Sequence, residues 1–172
     1  MIVQANSHLG FYCRDLDRSV KFYEEILGCR EKFSLYYGDM IPEDPEDLAK
    51  MPEEVRTKLE AVRDVRWIVY LEWKDGFFIE LFNELDAWKE NPFDPEKYGY
   101  THFSFVVDDI HAFYQELIGK GAGDCIDIVP QFNCDHTWAL WFHDPDGNRI
   151  EVHQYTDRSF QVVGRNGSGK AF

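Results

Sequence analysis

The chain contains the same pattern twice. Residues 7–28, SHLGFYCRDLDRSVKFYEEILG, place a histidine before an apolar run, an aspartate, a stretch with helical spacing and a final glycine. Residues 101–121, THFSFVVDDIHAFYQELIGKG, repeat that order. An internal repeat constrains the possible folds strongly, because each copy is expected to form the same structural unit. We therefore expect two related modules within the 172 residues.

Each copy predicts the element order β-α-β-β-β. In the first copy, Asp15 or Asp17 caps a helix, since a short carboxylate accepts hydrogen bonds from the free N–H groups of a first turn. Asp108 or Asp109 has the same place in the second copy. β-forming and alternating stretches predict strands at 7–13, 30–37, 65–73 and 77–82, and again at 100–107, 125–129, 136–143 and 149–154. The predicted fold class is α+β, with two tandem βαβββ modules.

The spacing of equivalent residues locates an insertion. His8 and His102 are 94 positions apart, whereas Glu80 and Glu151 are 71 apart, so the first module carries about 23 additional residues. The polar, partly helical stretch 38–64 accounts for them, and its acidic cluster is either a solvated face or a lid over a pocket. The predicted organisation is given by these ranges: module 1–83 with the insertion 38–64, linker 84–99, module 100–157 and C-terminal tail 158–172.

Each module begins with a strand histidine and ends with a strand glutamate. Alternation along a strand puts Glu80 on one face with Phe78 and Phe82, where an ionised carboxylate is costly without a partner. A divalent metal ion is one such partner. Taken singly, these histidines and glutamates are ordinary strand residues, but their equivalence in both modules favours a shared site. Two imidazoles and two carboxylates suit zinc, nickel, cobalt, manganese or ferrous iron.

Composition excludes several classes of partner. The formal net charge of −14 disfavours nucleic acids and anionic membrane surfaces, which require a basic face. No apolar run is long enough for a membrane span, and the N-terminus lacks the pattern of a signal peptide. The four cysteines form no C-x-x-C pair. We expect a cytoplasmic protein whose cysteines are free thiols filling apolar space.

Four pieces of the sequence resemble one known family: the segment 7–28, FIELF, THFSFVVDD and HDPDGNRIEV. The chain is similar to the vicinal oxygen chelate superfamily, which includes glyoxalase I, bleomycin-resistance proteins and extradiol dioxygenases. The resemblance implies paired modules whose curved mixed sheets form a cleft around one divalent metal ion. It implies that the ligands are His8, Glu80, His102 and Glu151. It also implies a homodimer.

Within that family, a glutamate at both carboxylate positions is most similar to glyoxalase I. The resemblance therefore implies a metal-dependent lyase or isomerase that transfers a proton through a metal-bound enediolate of a small carbonyl substrate. Glu151 is our first choice for the catalytic base and Glu80 the second. Two alternatives stay open: a ferrous extradiol-type dioxygenase, and a binding protein that sequesters a drug or metabolite.

The sequence departs from the glutathione-using glyoxalases at two places. Tyr12 stands where they carry an arginine four positions after the first histidine, and Asn83 follows Glu80 by three positions instead of four. These differences argue against glutathione. The many aromatic residues either fill the core or suit a more apolar or ring-bearing substrate. The predicted substrate-binding residues are Tyr12, Asn83, Trp138 and His153. His153, on the face of Glu151, is also a candidate outer acid or substitute ligand.

Overall fold

The structure, a computed structural model, describes residues 8–74, 76–83 and 101–163. The chain divides into two compact units, Met1–Asn91 and Pro92–Phe172. Each unit contains one four-stranded mixed sheet with helices, which confirms the predicted α+β class and the duplicated architecture. The predicted linker 84–99 lies outside the described residues.

The sheet of the first unit has the strand order β1-β4-β3-β2. β1 runs parallel to β4, and the other neighbouring pairs are antiparallel. Because β1 and β4 are the strands predicted to carry the histidine and the glutamate, their pairing brings these two residues to one part of the sheet. The strands are β1 (His8–Cys13), β2 (Arg30–Tyr36), β3 (Arg66–Lys74) and β4 (Phe77–Asn83).

Helix α1 (Leu16–Glu25) connects β1 to β2. It begins where the sequence predicts, because the Asp15 side chain accepts a hydrogen bond of 3.0 Å from the backbone N–H of Arg18. Beyond its end Gly28 has φ of +72°, a conformation that glycine adopts without strain. The buried face of α1 includes Val20 and Tyr23, and the Tyr23 ring stacks on Phe11 of β1.

The two faces of the first sheet differ in character. Leu71, Ile79 and Leu81 are fully buried on the face that α1 covers. Alternation along the strands puts His8, Gly10, Tyr70 and Glu80 on the opposite face. We call this opposite face the site face of the unit, and we use the same term for the face of the second sheet that carries Glu151.

The insertion between β2 and β3 leaves and re-enters the sheet at adjacent positions. The backbone N–H groups of Tyr37 and Gly38 donate to the carbonyls of Val65 and Arg63, at 3.0 Å in both cases. These bonds close the base of the insertion, so β2 and β3 remain neighbouring strands of the sheet. The segment contains a 3-10 turn (Tyr37–Met40) and the helices α2 (Pro45–Leu48) and α3 (Glu53–Ala61).

The second unit repeats the topology of the first. Its strand order is β5-β8-β7-β6, with β5 parallel to β8 and the other pairs antiparallel. Asp109 caps the helix as predicted, accepting from the N–H groups of His111 and Ala112 at 2.9 Å. The elements are β5 (Phe103–Val106), α4 (Ile110–Gly119), β6 (Ile126–Phe132), β7 (Trp138–His143) and β8 (Arg149–Gln154).

The turn before β8 is held by one buried aspartate. Asp144 is fully buried and accepts from the backbone N–H groups of Asp146 and Asn148 and from the Asn148 side chain, at 2.8–2.9 Å. Gly147 has φ of +86°. The sequence predicts this tight turn, and it fixes the start of the strand that carries Glu151.

Residues of the predicted C-terminal tail pack on the turn between β6 and β7. Helix α5 (Phe160–Val163) follows Ser159, which is fully buried and donates a 2.8 Å hydrogen bond to the carbonyl of His136. The Gln161 side chain donates to the Asp135 carboxylate at 2.6 Å and accepts from the Thr137 hydroxyl at 3.0 Å. Residues 158–163 therefore belong to the folded second unit. Residues 164–172 lie outside the described part.

Candidate functional site

The first unit places a histidine and a buried carboxylate in contact. Parallel pairing of β1 and β4 sets Gly10 opposite Glu80 and His8 opposite Phe78, so His8 is a diagonal neighbour of Glu80 on the site face. His8 Nε2 lies 3.3 Å from Glu80 Oε2. Glu80 is 7% exposed, whereas the His8 side chain is 40% exposed. The arrangement presents one imidazole nitrogen and one carboxylate oxygen together.

The second unit forms the equivalent pair at the same distance. Glu151 of β8 lies opposite Ser104, and His102 directly precedes β5. His102 Nε2 lies 3.3 Å from Glu151 Oε2. The Thr101 hydroxyl is 2.8 Å from the other ring nitrogen, Nδ1, and this contact orients the imidazole so that Nε2 faces the carboxylate.

A tyrosine that the sequence analysis did not select contacts Glu80. Tyr70 lies directly opposite Glu80 in the antiparallel β3–β4 pair. A hydrogen bond to the Glu80 carboxylate, together with burial and the carboxylate's charge, raises the pKa of Tyr70 to about 12. Counting from the Lys74–Phe77 pair at the turn does not predict this contact, because a register shift between Glu72 and Lys74 changes which residue faces Glu80.

The corresponding residue of the second unit is a tryptophan. Trp141 lies opposite Glu151 in the β7–β8 pair. Its ring packs against the edge of His102, with 4.6 Å between centroids, and the Arg149 guanidinium carbon lies 4.4 Å from its centroid. Trp141 therefore supports the histidine, whereas Tyr70 contacts the glutamate.

His153 joins the second pair. It lies two residues after Glu151 on the same face, and its Nε2 is 2.7 Å from Glu151 Oε2. This contact is a short ion-pair distance, and among the described residues neither buried ring nitrogen of His153 has a hydrogen-bond partner. A buried imidazole without hydrogen bonds needs an explanation, and a bound ion or substrate atom is one.

Three other predicted residues lie at different places. Tyr12 is on the site face of the first sheet, 50% exposed and 5.4 Å from the Phe82 ring. Asn83 lies on the opposite face from Glu80 and donates to the Arg66 carbonyl at 2.9 Å.

Trp138 lies on the helix-covered face of the second sheet, with its ring 5.0 Å from that of His111 in α4. The structure thus brings Tyr12 and His153 to the site faces, and it leaves Asn83 and Trp138 away from them.

The donor set is chemically suited to a divalent ion. Two donors bound about 2.1 Å from one ion, at angles between 90° and the tetrahedral value, lie roughly 3.0–3.4 Å apart. The two histidine–glutamate distances of 3.3 Å fall in this range. Across residues 8–74, 76–83 and 101–163, however, no three histidine, cysteine, aspartate or glutamate side chains are gathered closely enough to hold an ion by themselves. The fit is therefore one of donor chemistry within each pair.

Comparison with known proteins gives one family. The family model described as the glyoxalase/bleomycin resistance protein/dioxygenase superfamily matches residues 6–152. A curated relative, the metallothiol transferase FosB of Lysinibacillus sphaericus (strain C3-41), is 27% identical over 158 residues, which cover 91% of this chain and 86% of that protein.

Solved structures support the same fold. A glyoxylase/bleomycin resistance protein/dioxygenase domain from Frankia sp. EAN1pec matches with a TM-score of 0.62 at 21% identity, covering 92% of this chain and 97% of that one. Lactoylglutathione lyase from Agrobacterium tumefaciens matches with a TM-score of 0.54 at 18% identity, covering 90% and 96%. At these identities the likeness concerns the fold. In the described part of the chain, no helix is long and apolar enough to cross a membrane.

Proposed function

The chain belongs to the glyoxalase/bleomycin resistance protein/dioxygenase superfamily, and on that premise we propose that it is a metal-dependent lyase or isomerase of the glyoxalase I type. The proposed reaction moves a proton between adjacent carbons of a small carbonyl compound. One observation carries the proposal: both modules place a histidine 3.3 Å from a glutamate at equivalent positions of equivalent sheets.

The proposed ligands of the ion are His8, Glu80, His102 and Glu151. Imidazole and carboxylate donors suit zinc, nickel, cobalt, manganese and ferrous iron alike, so the donor set does not select among them. When bound, such an ion polarises substrate oxygens and makes the neighbouring C–H group more acidic.

Glu151 is the proposed base. It accepts the proton from the substrate carbon beside the carbonyl and returns the same proton to the neighbouring carbon, so that no oxidant or reductant is needed. Glu80 is the weaker choice, because the residue is only 7% exposed and faces Tyr70 directly across the β3–β4 pair.

Tyr12 and His153 are the proposed substrate-contacting residues. Tyr12 is 50% exposed at the position where the resemblance predicts an arginine in glutathione-using enzymes. A phenol cannot neutralise the carboxylates of glutathione as a guanidinium can. We therefore propose a substrate whose recognition does not depend on a peptide carboxylate. Asn83 and Trp138 are not part of this proposal, because their side chains lie on the opposite faces.

The test combines metal analysis with an assay. The purified protein is analysed for bound metals, stripped with a chelator and reloaded with each of the five ions. Conversion of the hemithioacetals of methylglyoxal with glutathione and with small thiols lacking carboxylates is then followed. We expect a stoichiometric ion and turnover that returns on reloading. Absence of any bound ion, together with no turnover, contradicts the proposal.

Oxygen uptake with catechols under ferrous iron would instead indicate ring cleavage, and stoichiometric ligand binding without turnover would indicate sequestration.

A second candidate is metal-dependent transfer of a thiol to a small electrophile. The observation that favours it is the 27% identity to a metallothiol transferase over 91% of the chain. With an epoxide, this reaction forms a bond between the thiol sulfur and a ring carbon, breaks the bond from that carbon to oxygen, and leaves the thiol proton on the released oxygen. It consumes free thiol, whereas the isomerase releases an unchanged thiol or none. Measuring loss of free thiol against a panel of epoxides separates the two. The homodimer and the cytoplasmic location stay predictions, which sedimentation and cell fractionation would test.

A further inference from the structure

The second unit carries a cation on its site face, beside Glu151. Arg149 lies two residues before Glu151 on β8, so both side chains project from the same face, at positions about 6.6 Å apart along the strand. The guanidinium carbon of Arg149 lies 4.4 Å from the centroid of the Trp141 ring, and that ring packs on His102. The charge of Arg149 is therefore held next to the histidine–glutamate pair of this unit.

The Arg149 guanidinium keeps its hydrogen-bond donors available. Arg149 is exposed, and within the described ranges its side chain forms neither a hydrogen bond nor an ion pair. Its contact with the Trp141 ring is a cation–π interaction, which restrains the guanidinium without occupying its N–H groups. Those N–H groups form a planar fork that matches the oxygens of a carboxylate or a phosphate.

Two carboxylates on this part of the second sheet have partners other than Arg149. His143 lies directly opposite Arg149 in the β7–β8 pair, and its Nδ1 is 2.9 Å from the Asp127 carboxylate. Glu151 lies beside His102, with 3.3 Å between Oε2 and Nε2. Because neither carboxylate forms an ion pair with Arg149, the positive charge of Arg149 can attract an anion from solution.

The first unit, taken by itself, has an apolar residue at the equivalent position. Phe78 lies two residues before Glu80, and its ring contacts the Tyr70 ring with 6.0 Å between centroids. Since the same module forms with phenylalanine there, its architecture does not require a cation at this position. The charge of Arg149 therefore needs a reason other than folding.

Electrostatics give a local cation a large effect on which ligands this chain binds. The formal net charge of −14 repels anionic molecules from the protein in general. An anionic ligand therefore needs a specific positive partner, and hydrogen bonds from a guanidinium to an anion are about twice as strong as neutral ones. A neutral ligand gains no such advantage from Arg149.

We propose that Arg149 is a specificity-determining residue that binds a carboxylate or phosphate group of the carbonyl substrate. The inference rests on the proposed function for the place of the carbonyl group, and it deepens that function by naming the substrate class. The spacing of Arg149 and Glu151 puts the anionic group several bonds away from the carbonyl carbon. The anion belongs to the carbonyl compound itself and not to a thiol peptide.

The test compares charged probes with their neutral analogues. The carboxylate probe is levulinate, with its methyl ester, and the phosphate probe is dihydroxyacetone phosphate, with dihydroxyacetone. Dissociation constants are measured by NMR titration of the metal-free and the Zn²⁺-loaded protein. We expect the wild-type protein to bind at least one charged probe about tenfold more tightly than its neutral analogue. The probe that shows this preference distinguishes a carboxylate from a phosphate.

Three variants assign the preference to one side chain. Arg149→Met should abolish it, and Arg149→Lys should keep part of it, because lysine retains the charge without the planar fork. Arg56→Met is the matched control, since it removes the same charge from an exposed position of α3 and should keep the wild-type preference. No preference in the wild-type protein, an unchanged preference in Arg149→Met, or an equal loss in Arg56→Met would overturn the inference.

Failure of the proposed function gives a different result. A protein that holds no ion and has no turnover contradicts the function, yet loss of the charge preference in metal-free Arg149→Met still supports the anion site. Conversely, wild-type and Arg149→Met enzymes that convert charged and neutral carbonyl compounds equally well would support the function and refute the role of Arg149.

Discussion

Glu151 and His153 project from the same face of β8, and Oε2 of the glutamate lies 2.7 Å from Nε2 of the histidine. The first unit has no counterpart, since the residue two positions after Glu80 is Phe82. The same oxygen of Glu151 therefore lies close to two imidazoles, since His102 Nε2 is 3.3 Å from it. The two glutamates are not equivalent, and this difference supports assigning them different roles.

The His153 imidazole should reduce the stability of the metal-free protein. Its ring nitrogens are buried without hydrogen bonds among the described residues, and such groups cost about 1–3 kcal/mol. We expect His153→Leu to raise the free energy of unfolding by about 1 kcal/mol in urea denaturation. His143→Leu is the comparison, because the Nδ1 atom of His143 has a partner, Asp127, at 2.9 Å. This substitution should not raise the free energy of unfolding. A His153→Leu protein less stable than wild type would show that the Glu151 contact outweighs the burial cost.

Glu151→Gln should retain the ion and lose turnover. The amide still offers an oxygen to a cation but cannot accept the substrate proton, and general base catalysis contributes about 10²–10⁴-fold to rate. We expect kcat to fall by about that factor while metal content by elemental analysis stays stoichiometric. Glu116→Gln, an exposed change that removes only a helix-surface pair with Lys120, is the control and should keep wild-type kcat. A fully active Glu151→Gln enzyme would rule out this base.

Gly10→Ala tests how tightly Glu80 is confined. The added methyl group would lie 3.3 Å from Glu80 Oε2 and from Phe82, so one neighbour must move by a few tenths of an ångström. We expect about tenfold weaker metal binding, measured by chelator competition, because a displaced ligand no longer fits its ion. Gly119→Ala meets no atom within 4 Å at the end of α4 and should leave metal binding unchanged. Equal affinities in the two variants would show that Glu80 tolerates the shift.

Local patterns predicted most of the architecture. The caps at Asp15 and Asp109, the turn at residues 144–148 and the alternation of the strands all depend on interactions within a few residues. β6 extends beyond its predicted end through Pro130, which an edge strand accommodates because one side of its backbone needs no partner. The alternation of apolar residues and the positions of helix-capping residues could not predict that extension.

The candidate site was predictable where strand parity alone decided it. Alternation along the strands placed His8, Glu80 and Glu151 on the site faces. Trp138 was a poor choice by the same rule, because Trp141 faces Glu151 and a residue three positions before it projects from the opposite face. Tyr70 required the pairing register of β3 with β4. The burial of Ser159 required a contact with the β6–β7 turn, which no local signal contains. Contacts that depend on register or on distant segments were therefore the ones missed.

The C-terminal contact with that turn should weaken in acid. Burial alone would raise the pKa of Asp135, but hydrogen bonds from Gln161 and Thr137 outweigh it and lower the pKa. A lowered folded-state pKa contributes stability above the unfolded value of about 3.9, and that contribution is lost as pH falls through the folded-state pKa. We expect Asp135→Asn to cost about 1 kcal/mol at pH 7, since the group is partly exposed, and to cost progressively less below about pH 4. Urea midpoints from pH 3 to 7 measure the difference, with Asp124→Asn as an exposed control that should cost little throughout. A penalty at Asp135 that did not change with pH would mean that its charge contributes nothing to holding residues 158–163 on the turn.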